Sequence, residues 1–328
     1  MDNVSIKIQT GVYGQFRNLN NKVWYALAEF VDNSVQSFEN NKQKLLDLHG
    51  EDYSLKIKIL IDSEADIISI SDNAAGIGLD NYYRAFEPAH IPLDNTGLHE
   101  YGMGMKTASI WLSDKWSVRT SALGESEERT IEFDLEKVIS EKKENLEVIK
   151  TIKEKNDHYT EIVLKKLSHN APSSHQLDKI RRHLTSIYRN FIRSGDLKLY
   201  VNDLLLTDYH LEILKAPYYK NLNGEHITWK KDIDFSMGKY SAKGFIGILK
   251  TMSTNKDNGI SLFRRGRVIV GSHDEKYRPT VLCGQIGSPR YKRIFGELEL
   301  KGFGVSFNKG SFIEVEDLNA LMEALKFE

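Results

Sequence analysis

Residues 24–38 read WYALAEFVDNSVQSF, and this stretch decides how the N-terminal half of the chain is understood. As one amphipathic helix it places Glu29, Asp32, Asn33 and Gln36 at i, i+3, i+4 and i+7, on a single face. Leu27, Phe30, Val31, Val35 and Phe38 crowd the opposite face. An asparagine oxygen beside a carboxylate makes a hard ligand set suited to Mg²⁺, and a free glutamate next to them can activate water. The pattern thus suits a site facing a polyanion with its metal. On this segment alone an ordinary surface helix with a polar side fits as well, and the segments around it must decide.

Leu55 to Ile61 (LKIKILI) alternates apolar and polar, a strand pattern, and Ile67 to Ser71 (IISIS) is its hairpin partner after the turn DSEAD. The polar run NNKQKLLDLHGED between helix and hairpin reads as a loop or a helix tail. The second strand runs into Asp72-Asn-Ala-Ala-Gly76-Ile-Gly78, which sets a carboxylate at a strand end followed by small residues. Such a carboxylate can accept from an exocyclic amine, and the small residues let a flat base approach the backbone. A common Asp-Asn-Gly turn is the alternative.

From Asn81 to Gly104 little periodicity is visible, and a loop of that length in a compact domain is usually functional or mobile. It ends in Gly97-Leu-His-Glu-Tyr101-Gly102-Met103-Gly104-Met105-Lys106, which opens a helix over Lys106 to Leu112. Glycines at a helix start let backbone N–H groups wrap an anion, and Lys106 adds a point charge. The spacing is neither that of the P-loop nor that of the dinucleotide fingerprint. Strands are expected at Trp116–Ser121, Arg129–Phe133, 146–152 and Glu161–Leu164, and a helix at Ser173–Arg193. The polar segment Ser168 to Ser174 (SHNAPSS) reads as a domain boundary.

In order and spacing these segments resemble the GHKL superfamily of ATPases, which includes DNA gyrase B, MutL, the large cytosolic heat-shock chaperones, histidine kinases and MORC proteins. Glu29-x-x-Asp32-Asn33 is similar to its first motif, Asp72 to Gly78 to its second, and Gly102-x-Gly104-x-Lys106 to its third. Thr160 in HYTEIVL sits where the family's fourth motif places a threonine near the adenine. The sequence departs from many relatives at Gln36, where they carry an acid, and at Ala74, where they carry glycine. With alanine at 74 the backbone there should keep a negative φ. The resemblance implies a two-layer α/β sandwich (a Bergerat-type ATPase fold) over residues 1–168, binding ATP with Mg²⁺. Glu29 would be the general base, Asn33 the metal ligand and Asp72 the adenine reader. Gly102, Gly104 and Lys106 would hold the phosphates, with Asp32, Gly76, Gly78, Gly97, Tyr101, Met103, Met105 and Thr160 as further nucleotide-binding positions.

The C-terminal half supplies strand patterns at Leu197–Val201, Phe245–Leu249, Ile260–Phe263, Val268–Val270, Glu297–Leu300 and Gly304–Phe307, then a closing helix over Val315–Phe327. The chain stops directly after that helix, which suits a piece of a longer protein. RRHLTSIYRNFIRSG, ISLFRRGRVIVG and GVSFNKGSF resemble a second α/β domain, the transducer of gyrase B, MutL and MORC, over residues 169–328. In that class a lysine reaches back to the γ-phosphate, and Lys309 is the matching position. A transducer argues against a phosphotransferase of the histidine-kinase type. The MORC/MutL branch looks nearest, from Asp72-Asn73, Tyr-Gly-x-Gly-x-Lys and Arg-Arg-Gly-Arg.

The resemblance implies slow Mg-dependent ATP hydrolysis coupled to homodimer formation, the triphosphate ordering the Asn81–Gly104 segment. A clamp on DNA or chromosomes comes first; a chaperone holding protein clients and a non-hydrolysing ATP sensor in a larger complex stand beside it. Apolar residues are 40% and charged residues 28% of the chain, as in ordinary globular proteins. A net charge of −1 gives no global attraction to nucleic acid or membrane, so such binding needs a local patch. Two patches qualify: Lys179, Arg181, Arg182, Arg189 and Arg193 along one helix, and Arg264, Arg265 and Arg267 in a tight turn, with Tyr291, Lys292 and Arg293 as an extension. Each also suits a plain solvated surface. Cys283, the single cysteine, excludes an internal disulfide and reads as a small buried apolar residue. The ten histidines show no zinc spacing. With no signal-peptide pattern and no apolar run long enough for a bilayer, a cytoplasmic or chromosome-associated location is expected.

Overall fold

The computed structural model describes residues 9–87, 98 and 102–327. The mixed α/β chain forms two compact units. The first takes residues up to Arg181 together with Ser194–Leu206; the second takes Arg182–Arg193 and Thr207 onward.

The first unit is built on an eight-stranded sheet in the order β5-β4-β3-β6-β2-β1-β7-β8. After the short α1 (Val12–Gln15), α2 runs from Val23 to His49, so the polar run after Phe38 is helix as far as His49. Fully buried Leu45 anchors that tail, and Gly50, at φ 94°, ends it with its N–H on the Leu46 carbonyl. Both faces of α2 are covered: Leu27, Phe30, Val31 and Ser34 on one side, and Glu29 and Asp32 on the other. A helix that buries its carboxylates is not an ordinary surface helix.

β1 (Leu55–Asp62) points Leu55, Ile57, Ile59 and Ile61 inward, and β2 (Ile67–Asp72) adds Ile68 and Ile70. Their turn is set by Asp62, whose Oδ1 accepts from the N–H groups of Glu64 and Ala65. Next come α3 (Leu79–Phe86), α4 (Gly104–Leu112), β3 (Ser113–Ser121), β4 (Glu127–Asp134), α5 (Leu135–Ser140), β5 (Val148–Ile152) and β6 (Tyr159–Leu167). α3 corrects the expectation of an unstructured stretch from Asn81: Tyr82 is its single buried side chain, too weak a signal for a periodicity count. Most of the remaining stretch before Gly102 lies outside the described residues.

The boundary read at 168–174 also needs correction. α6 (Leu177–Ser194) leads into β7 (Leu197–Val201), which pairs parallel to β1 from Leu55↔Leu197 to Ile59↔Val201. β8 (Leu204–Leu205) closes that edge. The first unit therefore claims the chain as far as Leu206, and part of α6 belongs to the second.

The second unit carries a two-stranded ribbon, β9 (Lys215–Pro217) with β10 (His226–Thr228), and a five-stranded sheet in the order β11-β12-β15-β13-β14. Its strands are β11 (Lys230–Met237), β12 (Tyr240–Ile248), β13 (Gly259–Arg264), β14 (Arg267–Val270) and β15 (Ile294–Lys301), with β13 parallel to β15. Leu262, Leu298 and Leu300 from the sheet pack with Leu321 and Met322 of α9 (Val315–Ala324). Two short helices, α7 (Thr280–Cys283) and α8 (Pro289–Arg293), lie between β14 and β15. Cys283 is fully buried and free, and burial pushes its thiol up to about 11, so it behaves as an apolar residue. Gly304–Phe307 is not a strand; only an isolated Val305–Phe312 bridge forms there. β11 escaped the sequence reading because it is an edge strand with most of its side chains exposed.

Candidate active site

Asp72 ends β2, and its carboxylate is the hub of the site. Oδ2 accepts from the Ser34 hydroxyl of α2 at 2.6 Å. Oδ1 accepts from the Ala74 N–H at 2.9 Å and the Thr160 N–H of β6 at 3.3 Å. A carboxylate has about four lone-pair sites, so three donors leave room for one more. Burial pushes the Asp72 carboxyl above the usual carboxylate range, opposed by these hydrogen bonds.

Thr160 lies opposite Asp72 on one side, in register, and opposite Thr120 of β3 on the other. The two threonine hydroxyls are 3.1 Å apart, and Thr120 Oγ1 also accepts from the Ile77 N–H at 2.9 Å. The Asp72–Gly78 loop is thereby tied to the sheet. Ala74 and Ala75 are buried, and Ala74 keeps a negative φ as expected. Gly76 sits at φ 71°, where a Cβ would strike the Ser121 carbonyl, so only glycine fits. Asn73 faces away: it accepts from the Lys56 N–H and donates to the Ser54 carbonyl. His158 Nδ1 donates to the Ala74 carbonyl at 2.8 Å, since a carbonyl can only accept. Its Nε2 is then the acceptor for His49 Nε2, 2.6 Å away at the end of α2. Gly78 precedes α3, whose first N–H, that of Leu79, donates to Glu125.

The other end of the site is formed by α2 and α4. Glu29 is 8% exposed, and a Cβ placed on Gly104 would land on its carboxylate. The missing side chain at Gly104 is therefore what lets the glutamate lie against the start of α4. Asp32 is fully buried and Asn33, one turn beyond Glu29, is half-buried. Gly102 adopts φ 61°, and Met103 caps α4, its carbonyl accepting from the N–H and hydroxyl of Thr107. Met105 is buried. Gly97 and Tyr101 lie outside the described residues.

Lys106 departs from the expected arrangement. Its ammonium donates to the carbonyls of Arg84, Ala85 and Glu87, at 3.4, 3.0 and 2.8 Å, and so caps the C-terminal end of α3. Burial lowers its pKa to about 8, assisted by the nearby Arg84 charge and opposed by Glu87. Gln36 offers its Oε1 to the N–H of Leu98 at 2.5 Å and its amide to Asn40. An acid here would have accepted the first bond but could not have donated the second.

Sequence reasoning missed Ser34, Thr120 and His158. Ser34 follows Asn33 directly, and a serine within an otherwise buried helix was the available signal. Thr120 and His158 carry no local signal, because their roles follow from strand register.

In the second unit, Lys309 is 4% exposed at φ 51°, in a tight turn closed by its N–H on Ser306. Its carbonyl accepts from fully buried Arg267 at 3.1 Å. The basic clusters are largely engaged within their own units. Lys179 lies over Trp24, and Arg181 donates to the Val201 carbonyl. Arg189 pairs with Glu297 over Phe263, and Arg193 bridges Glu297 and Asp208. The turn at Arg265 and Gly266 is held by Glu299.

Residues 21–169 match the family described as histidine kinase-, DNA gyrase B-, and HSP90-like ATPase. This supports the GHKL resemblance and an ATP-binding domain across that segment. No curated protein matches the chain. No described helix is long and apolar enough to cross a membrane.

Proposed function

We propose that the chain binds ATP with Mg²⁺ and hydrolyses it slowly, and that ATP drives two copies together. The observation that carries this reading is the buried Glu29 carboxylate lying against the backbone of Gly104, one helical turn from Asn33. A carboxylate withdrawn from water beside a glycine-opened helix start is suited to hold and deprotonate a water directed at a bound phosphate. Asn33 would supply an amide oxygen to Mg²⁺, which neutralises charge on the phosphates. α4 starts at Gly104, beside Glu29, and the dipole at a helix start favours an anion. Asp72, with one acceptor site left, would take the adenine amine, and Gly76 and Ala74 would admit the flat base. Lys309 would sense the γ-phosphate.

The MORC/MutL-like branch and a DNA or chromosome-associated clamp remain the preferred identity of the assembly. The engagement of Arg189, Arg193 and Arg267 inside the second unit narrows the surface left for DNA. Steady-state ATP hydrolysis, measured with and without duplex DNA alongside mass by light scattering, tests the whole reading. Turnover with an ATP-dependent doubling of mass supports it, and DNA stimulation that fades with salt supports the clamp. Suppression of client aggregation would favour a chaperone. ATP binding without turnover would leave a nucleotide sensor, and no ATP binding at all would overturn the proposal.

A further inference from the structure

The loop that follows β14 in the second unit, Gly271-Ser-His-Asp-Glu275, meets α6 in a way the ATP chemistry does not use. His183 of α6 is fully buried. Its Nδ1 lies 3.3 Å from the Ser272 hydroxyl, and its Nε2 lies 2.9 Å from Asp274 Oδ1. Glu275 joins them: one nitrogen of His183 and one oxygen each of Asp274 and Glu275 all lie within 4.8 Å of one another.

The backbone is wound to make this happen. Gly271, at φ 91°, turns where a Cβ would strike the Ile260 carbonyl, and the Ser261 hydroxyl holds the Gly271 carbonyl at 2.9 Å. The Glu275 N–H closes the turn on the Ser272 carbonyl at 2.8 Å, leaving His273 at a φ of 20°. One turn along α6 from His183, Ser186 accepts from the His273 N–H at 2.9 Å. The loop is thus fixed by the same helix that carries the imidazole.

We propose that His183, Asp274 and Glu275 form a binding site for a divalent transition-metal cation. One imidazole nitrogen and one oxygen from each of two carboxylates, all within 4.8 Å of one another, can reach a single cation together. The Ser272 hydroxyl on Nδ1 is the outer-shell contact that orients a ligating imidazole, with Nε2 turned toward the carboxylates. One nitrogen and two carboxylate oxygens suit Zn²⁺, Mn²⁺ or Co²⁺; Mg²⁺ and Ca²⁺ prefer oxygen throughout, and Cu(I) prefers sulfur. Asp274 is 47% exposed, so an ion can enter from solvent and keep water on its open positions. Bound there, the ion would clip the loop to α6.

The test uses the full chain, stripped with chelator and free of nucleotide, titrated with Co²⁺ and followed by its visible ligand-field absorption. One ion per chain, displaced by Zn²⁺ and raising the thermal unfolding midpoint, is the expected result. The double variant Asp274→Asn/Glu275→Gln changes only partly exposed side chains and should fold; its Co²⁺ affinity should fall at least about 10–100-fold. His183→Ala should abolish the band, but loss of a fully buried ring can also unfold the unit, so the carboxylate variant decides. Absence of any saturable band, or an unchanged titration in that variant, overturns the site. ATP binding should be the same in wild type and variant, so a failed site leaves the reading of the nucleotide pocket untouched.

Discussion

Around Asp72, donors from α2, β6 and the following loop already converge on one carboxylate, whereas around Lys106 the ammonium is held by carbonyls that a phosphate would have to replace. The end proposed to read the base is strand-built, with Thr160 and Thr120 fixed by register. The end proposed to hold the phosphates is built from helix starts and ends. Its lysine keeps α3 in place until something more negative arrives. In the proposed reading, recognition of the base is separated from commitment to the triphosphate, and the first should survive changes that abolish the second.

The largest expected break falls at the catalytic step. Glu29→Ala should cut turnover by about 10²–10⁴ while ATP still binds, the usual range for removing a general base. The same variant should accumulate as an ATP-bound dimer in light scattering. Near wild-type turnover would remove Glu29 from the mechanism.

Asp72→Asn attacks the prebuilt end. An amide there meets the adenine amine with a donor or loses the contacts from Ser34 and Ala74, so ATP affinity should fall by roughly 100-fold. Stability should move the other way. Because burial raises the folded-state pKa, the ionised carboxylate costs stability at neutral pH, and that cost disappears as pH falls through the folded-state pKa to below the ordinary carboxylate value. The variant should therefore match or exceed the wild-type Tm at pH 7 by calorimetry. A large drop in Tm with unchanged preference for ATP over GTP would make Asp72 purely structural.

The first motif was readable because helix periodicity alone aligns Glu29 with Asn33, and Asp72 was readable from its place at a strand end. The contact of Lys106 with α3 was not legible, because a sequence shows the glycines before it but not that α3 ends beneath it. Tyr82 alone marks α3 as a helix with a buried side. The sheet was legible as far as alternation reached: β1 and β2 came through, while polar β11 and the two-residue β8 did not. The parallel partner of β1 lies beyond a whole helix, and no local pattern announces it. The histidine on α6 and the acids after β14 are likewise too distant in sequence to read as ligands together.

A smaller effect is expected at Lys309. Lys309→Ala should weaken a non-hydrolysable ATP analogue by about 10–100-fold while leaving ADP nearly unchanged, as loss of one charge-assisted hydrogen bond implies. Calorimetry with both nucleotides gives the answer, and equal weakening of the two would remove the γ-phosphate role. The smallest shift sharpens the contrast most. In ¹³C-labelled protein, NMR should find a lysine titrating near its lowered value of about 8 that disappears in Lys106→Met. Lys276, which burial also lowers to about 8, gives a second such signal that stays. Adding the ATP analogue should move the Lys106 midpoint upward, because a nearby phosphate favours the ammonium. An unmoved midpoint would confine Lys106 to capping α3.

The parallel pairing of β7 with β1 also governs how the protein can be made. During synthesis β1 emerges early, but the strand that covers its outer edge follows only after α6 has been completed. Until then Leu55 to Ile59 offer an open row of backbone donors and acceptors, a template for pairing with another chain. A polypeptide stopped near residue 169, where the family match ends, would retain the residues of the nucleotide pocket yet carry that edge permanently. Its expected fate is aggregation in the cell, and extending it through Leu206 should restore a soluble yield.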